Sequence, residues 1–80
     1  MPKIEVQYFA ALREARGLSR ETVSTNASTP EALYEELKAA HGFQLPMQNV
    51  KVAINNELAE MDQPFQDGDV VVFIPPVAGG

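Results

Sequence analysis

Cysteine and tryptophan are absent from this sequence, and it has a single histidine, His41. Without cysteine there can be no disulfide, thiolate metal site or thiol nucleophile. A metal cluster or a Ser/His/Asp triad would have to be built around His41. Its position at the end of a predicted helix instead favours a capping or surface role. We therefore expect no metal site.

Long apolar runs are also missing. No uncharged segment approaches the roughly 20 residues that a membrane-spanning helix needs. The residues after Met1 form no apolar stretch of the kind found in secretory signals. We expect a cytoplasmic protein that does not associate with membranes.

Positive charge is scarce, with six Lys and Arg residues against eleven Asp and Glu residues and a net charge of −5. Nucleic-acid binding depends on cationic contacts to phosphate, so we expect no nucleic-acid partner. The last cationic residue is Lys51, and every charged side chain after it is a carboxylate. If this half of the chain docks a partner, a basic partner surface is favoured. The alternative is an acidic surface that only aids solubility.

The chain of 80 residues suits one small domain. Alternating residues predict a strand over 3–9, with Ile4, Val6 and Tyr8 on one face. The clearest helix is predicted from Pro30 to about His41, with Gly42 as its left-handed cap. A helical turn over 10–16, a weaker strand over 18–25 and strands over 50–54, 57–60 and 70–74 complete the prediction. This order predicts an α+β fold, with a mixed sheet of four or five strands on one main helix.

The predicted strand over 70–74 is apolar at every position. A strand of this composition needs cover on both faces, and in a domain of this size the main helix covers only one. The second face is a candidate docking surface. The alternative is a central strand whose other face is covered by loops.

The last six residues read Pro-Pro-Val-Ala-Gly-Gly. Prolines cannot donate to a sheet, so the strand must end at Ile74 and the chain then extends stiffly. Glycines lack a Cβ and fit channels that exclude other residues. We expect a domain over 1–74 and an extended, flexible tail over 75–80 that enters a partner. The residues of that tail are Pro75, Pro76, Val77, Ala78, Gly79 and Gly80. The alternative is a glycine pair tolerated at a terminus without a role.

Four segments carry a family resemblance. The most specific is the turn, strand and tail DGDVVVFIPPVAGG of residues 67–80. The others are YFAALRE at 8–14, TPEAL at 29–33 and VAINNE at 52–57. Together they resemble the small subunits of molybdopterin synthase, which are ubiquitin-like β-grasp sulfur carriers. The resemblance implies a β-grasp fold whose first and last strands pair in parallel at the sheet centre.

The same resemblance implies a mechanism and partners. The tail would insert into the large subunit, in a complex of two small and two large subunits. A ubiquitin-activating-like adenylyltransferase would use Mg-ATP to adenylate Gly80, and sulfur would then displace AMP to give a thiocarboxylate. That group would donate sulfur to the pterin precursor in molybdenum cofactor biosynthesis. The chain itself would bind no cofactor and hold a nucleotide only as its C-terminal adenylate. It would be a non-catalytic sulfur-donor subunit, with the active site on the large subunit.

Other hypotheses remain open. The acceptor of sulfur would differ in a carrier for thiamin thiazole or another thiolated metabolite. A ubiquitin-like modifier would instead form an isopeptide bond with lysine, and a plain binding module would not use its C-terminus. Partner docking is predicted for Phe73, Phe9 and Arg13. The alternatives are core positions for the two aromatic residues and an ordinary surface arginine.

Overall fold

The computed structural model describes residues 1–76. Within them, five strands form one mixed sheet in the order β2-β1-β5-β3-β4. Two helices and a short 3-10 turn over Met47–Asn49 complete the described fold. The elements in chain order are β1 (Lys3–Tyr8), α1 (Ala10–Arg16), β2 (Arg20–Ser24), α2 (Pro30–His41), β3 (Lys51–Ile54), β4 (Glu57–Ala59) and β5 (Val70–Ile74).

The sheet centre consists of β1 and β5, which run in parallel with Val6 opposite Val71 and Tyr8 opposite Phe73. The other neighbouring pairs, β1 with β2, β3 with β5 and β3 with β4, are antiparallel. A mixed sheet with this pairing on one main helix is the β-grasp architecture. The predicted fold class and the predicted parallel pair are confirmed.

Helix α2 lies where its capping residues predict. The Thr29 hydroxyl accepts a hydrogen bond from the Ala32 N–H at 3.3 Å, and Pro30 occupies the first turn. The helix ends at Gly42, whose φ of 71° favours a residue without a Cβ. Its apolar stripe buries Leu33, Tyr34 and Leu37 against the sheet.

One face of the sheet, which we call the helix face, forms the core with α2. Ile4, Val6 and Tyr8 of β1 and Val71 and Phe73 of β5 are all fully buried there. Aromatic packing fills the middle of this core, with the Tyr34 and Phe73 ring centroids 5.4 Å apart. In residues 1–76, no helix has the length and apolar content required to cross a membrane.

The opposite face of the sheet, which we call the open face, presents the alternate residues of each strand. Val72 lies at its centre between Gln7 of β1 and Ala53 of β3, and only 7% of it is exposed. The outer strand β4 adds Leu58, opposite Ala53 and 81% exposed. The open face therefore has a nearly buried centre and an apolar side chain standing free at one edge.

Candidate functional site

The end of β5 fixes where the chain leaves the sheet. Ile74 is the last residue of the strand and lies opposite Lys51 of β3. Pro75 is buried and Pro76 is exposed. Pro75, predicted as the first residue of the inserting tail, is thus buried like a residue of the folded domain, while the role of residues 75–80 as an inserting tail stays a prediction. The predicted tail residues Val77, Ala78, Gly79 and Gly80 lie outside the described residues.

A groove of about 460 Å³ lies beside this exit, and we call it the exit groove. Two segments that are far apart in the sequence meet there, the start of α1 and the end of β5. The lining residues are Phe9, Ala10, Ala11 and Glu14 from the first segment, and Ile74, Pro75 and Pro76 from the second. The walls are thus mostly apolar, and within residues 1–76 Glu14 is the one charged residue that lines them.

The exit groove exists because the chain turns sharply between β1 and α1. Ala10 has a φ of 50°, in the left-handed region that a residue with a Cβ seldom adopts. This turn starts α1 directly after Phe9, whose carbonyl accepts hydrogen bonds from the Leu12 and Arg13 N–H groups. Small side chains at Ala10 and Ala11 leave the space beside Pro75 open.

Helix α1 is held in place by a polar cluster on the side of the helix face. The Arg16 guanidinium donates to both carboxylate oxygens of Glu21 on β2, at 2.8 and 2.9 Å. The Tyr8 hydroxyl donates to the same carboxylate at 2.7 Å. The Arg16 hydrogen bonds, followed by that from Tyr8, hold the pKa of Glu21 below its usual value. This cluster ties α1, β1 and β2 together and so fixes one wall of the exit groove.

The three residues predicted to dock a partner have different positions. Phe9 is 47% exposed and lines the exit groove, a position compatible with that prediction. Phe73 is fully buried beneath α2, so its predicted docking role is wrong. Its position in β5 points its ring toward the core, opposite to Val72. Arg13 is exposed on α1 and does not line the groove, so its predicted role stays a prediction.

The open face continues from the exit groove and carries cations at its borders. Lys51 lies opposite Ile74, and Arg20 lies opposite Gln7. The cation Lys51 is therefore next to the last strand, although the sequence after it contains only carboxylates. The prediction of a basic partner surface for the acidic half of the chain stays a prediction.

The carboxylates of the Asp67-Gly68-Asp69 turn have internal partners. One oxygen of Asp67 accepts from the Lys3 N–H at 2.7 Å. Asp69 accepts from the Gln66 N–H at 2.9 Å and from the Asn55 amide at 3.0 Å. Across residues 1–76, the structure places no group of three or more side chains suited to hold a metal ion.

Two features of this region were missed from the sequence. The first is the exit groove with Glu14, because it depends on the approach of distant segments. The second is Leu58, for which a signal exists: in the predicted strand over 57–60 it is the one large apolar residue. Alternation with Glu57 and Ala59 would have placed it on the face opposite theirs.

Comparisons with known proteins agree with this geometry. The profile of the ThiS family matches residues 6–80. The molybdopterin synthase sulfur carrier subunit of Escherichia coli (strain K12) is 38% identical over 80 residues, covering 96% of this chain and 99% of the relative. The subunit of the same description from Mycobacterium tuberculosis is 37% identical over 83 residues, covering 100% of both chains.

Solved structures show the same fold. SAMP1 from Haloferax volcanii superposes with a TM-score of 0.78 at 25% identity, covering 98% of this chain and 99% of the other. A complex of subunits 1 and 2 of the molybdopterin-converting factor from Helicobacter pylori contains a chain that matches with a TM-score of 0.66 at 25% identity. That match covers 98% of this chain and 99% of the other.

Proposed function

This chain belongs to the ThiS family and, within it, to the molybdopterin synthase sulfur carrier subunits, and from that premise we propose that Gly80 carries sulfur as a C-terminal thiocarboxylate. The recipient is the pterin precursor in molybdenum cofactor biosynthesis. The chain acts as the sulfur-donor subunit, and the large subunit supplies the active site.

The observation that carries the proposal is the position at which β5 ends. This strand lies at the sheet centre, is paired on both sides, and delivers the chain to the exposed residue Pro76. Four residues follow Pro76 in the sequence and span at most about 14 Å when extended. A rigid strand thus supports a short segment whose last two residues have no side chain beyond hydrogen.

The proposed chemistry at Gly80 has two steps. In the first, a carboxylate oxygen attacks the α-phosphorus of ATP and pyrophosphate leaves, which gives an acyl adenylate. In the second, a sulfide equivalent attacks the carbonyl carbon, a C–S bond forms, and the C–O bond to AMP breaks. A ubiquitin-activating-like adenylyltransferase with Mg-ATP is the proposed partner for the first step. Because a dithiolene needs two sulfur atoms, each product molecule requires two carriers that hold a thiocarboxylate.

The proposed second partner is the large subunit of the synthase. The Helicobacter pylori structure, described as a complex of subunits 1 and 2, supports a partner of this kind. The expected assembly has two small and two large subunits. We propose that the partner covers the open face around Leu58 and Val72, since an apolar side chain that is 81% exposed is stabilised by burial.

A second candidate function is protein modification. The Haloferax volcanii neighbour belongs to the small archaeal modifier proteins by description. A modifier would use the same adenylate but transfer the Gly80 carbonyl to a lysine amine. Conjugates of higher mass in cell extracts would favour this candidate over the sulfur carrier.

The decisive experiment is sulfur transfer by a chain extended by one alanine after Gly80. The extension moves the terminal carboxylate and brings a methyl group into the partner site that accepts the C-terminus, so we expect complete loss of pterin product. The matched control places the same alanine before Met1 and should keep full activity. A C-terminally extended chain that still yields product would refute the proposal.

An independent readout is the intact mass of the chain isolated from cells that contain the activating enzyme. A fraction heavier by the difference between a sulfur and an oxygen atom would support the thiocarboxylate. Hydrolysis of that fraction should return it to the mass of the free acid. If this chain carried no thiocarboxylate in such cells, while a known sulfur carrier in the same cells did, the result would count against the proposal.

A further inference from the structure

The exit groove has a composition that selects a particular kind of occupant. Phe9, Ile74 and Pro75 supply apolar contact area, and Glu14 supplies one carboxylate among the lining residues. In residues 1–76 the only ion pair joins Arg16 to Glu21, so Glu14 has no cationic partner within that part of the chain. An apolar groove with one carboxylate matches a side chain that has an aliphatic stem and a cationic head.

We propose that the exit groove binds an arginine or lysine side chain of the large subunit, with its stem along Phe9 and Pro75 and its head at Glu14. This inference rests on the proposed function, which supplies the partner. Arginine fits best, because its planar guanidinium can form two parallel hydrogen bonds to a carboxylate. The volume of about 460 Å³ also leaves room for an apolar neighbour of that residue.

The location of the groove identifies the partner that fills it. Pro76, the last described residue, lines the groove, so a protein that takes up the residues after it contacts this region. The groove is also continuous with the open face through Ile74. A basic side chain anchored here would set the angle at which the C-terminal residues leave the domain.

The proposal gives Ala10 and Ala11 a role as spacers. A larger side chain at Ala11 would fill the groove and exclude the partner's residue, and α1 offers a matched control. Ala15 is also exposed on this helix but does not line the groove. Ala11→Leu and Ala15→Leu therefore differ in position while making the same chemical change.

The test measures the affinity of each carrier variant for the cognate large subunit. We expect Ala11→Leu to weaken binding about tenfold, because a blocked site forfeits the burial of the partner's residue. Ala15→Leu should stay within about twofold of the unmodified chain. Glu14→Lys should weaken binding about tenfold and Glu14→Gln about threefold. Glu35→Lys, on the exposed side of α2, makes the same charge change away from the groove and should have little effect.

Distinct results overturn the inference or the function on which it rests. Equal affinities for Ala11→Leu and Ala15→Leu would overturn the groove proposal while leaving the sulfur carrier intact. A large subunit that does not bind the unmodified chain at all would overturn the proposed function itself. Self-association that Ala11→Leu abolishes, measured by sedimentation, would assign the groove to a second copy. Amide resonances of Val77–Gly80 that shift in the isolated Ala11→Leu chain would assign it to the chain's own terminus. Both of these assignments overturn the proposal.

Discussion

At the scale of single residues, the cluster of Tyr8, Arg16 and Glu21 determines how α1 is held. Burial is the main reason that the pKa of Tyr8 lies well above its usual value, followed by its hydrogen bond to Glu21. Tyr8 therefore stays protonated and keeps donating to Glu21. With the two hydrogen bonds from Arg16, the Glu21 carboxylate accepts three short hydrogen bonds in all.

We predict that Glu21→Gln lowers stability near neutral pH by about 1 kcal/mol. The folded-state pKa of Glu21 lies below its unfolded value. The stabilisation is therefore fully present above the unfolded pKa and is lost as the pH falls through the folded pKa. Thermal unfolding across the acid range should show a smaller pH dependence for the variant.

Glu35→Gln is the control for this prediction, because Glu35 is exposed on α2 and lies outside the cluster. It should leave the stability near neutral pH unchanged. Equal acid profiles for the native chain and Glu21→Gln would show that the cluster contributes no pH-dependent stability.

At the scale of elements, local patterns predicted most of what the structure contains. Helix α1 over Ala10–Arg16 and helix α2 over Pro30–His41 match their predicted bounds. Strand β5 also matches its predicted bounds, and the other four strands differ by one or two residues at their ends, where pairing rather than composition sets the limit. Thr29 and Gly42 are strong signals because a cap acts within one turn of its own helix.

Features that depend on contacts between distant segments could not be predicted from the sequence. An all-apolar strand does not reveal which of its side chains face the core, so Phe73 could not be separated from Val72. The register with β1 determines which of these side chains faces the core: Phe73 does, because it lies opposite the buried Tyr8. The exit groove likewise depends on α1, which lies more than half the chain away from β5.

Removing a leucine should have very different effects on stability in the core beneath the helix face and on the open face of the sheet. Leu33→Ala, on the side of α2 that packs against the sheet, should lower the free energy of unfolding by about 2–5 kcal/mol, because it leaves a cavity in the core. Leu58→Ala should change it by less than about 0.5 kcal/mol, because Leu58 is 81% exposed. Chemical denaturation measures both.

For affinity to the large subunit, Leu58→Ala should have the larger effect and Leu33→Ala the smaller one. Leu58→Ala should weaken binding, since it removes apolar contact area from the open face. Folded Leu33→Ala protein should bind normally. Loss of binding only in Leu33→Ala would instead place the partner on the side of α2.

At the scale of the whole molecule, the folded body extends one residue past the last strand. Pro75 is buried while Pro76 is exposed. We predict that a chain ending at Pro76 keeps the melting temperature of the full chain. A chain ending at Ile74 should lose about 1–2 kcal/mol, because it gives up the buried ring.

Calorimetry of the two truncated chains checks this prediction, with unchanged circular dichroism as the control for folding. Both chains should fail in sulfur transfer, since both lack Gly80. Equal melting temperatures for the two would show that Pro75 adds nothing to the domain. A chain ending at Pro76 that melts much lower would show that later residues contribute to it.

The central position of β5 also has a consequence for biosynthesis. The ribosome makes β1, β2, β3 and β4 first, yet β1 and β3 have no shared neighbour until residues 70–74 emerge. The sheet therefore closes only after translation has passed through β5. We therefore expect a chain that ends before residue 70 to remain unfolded and open to proteolysis.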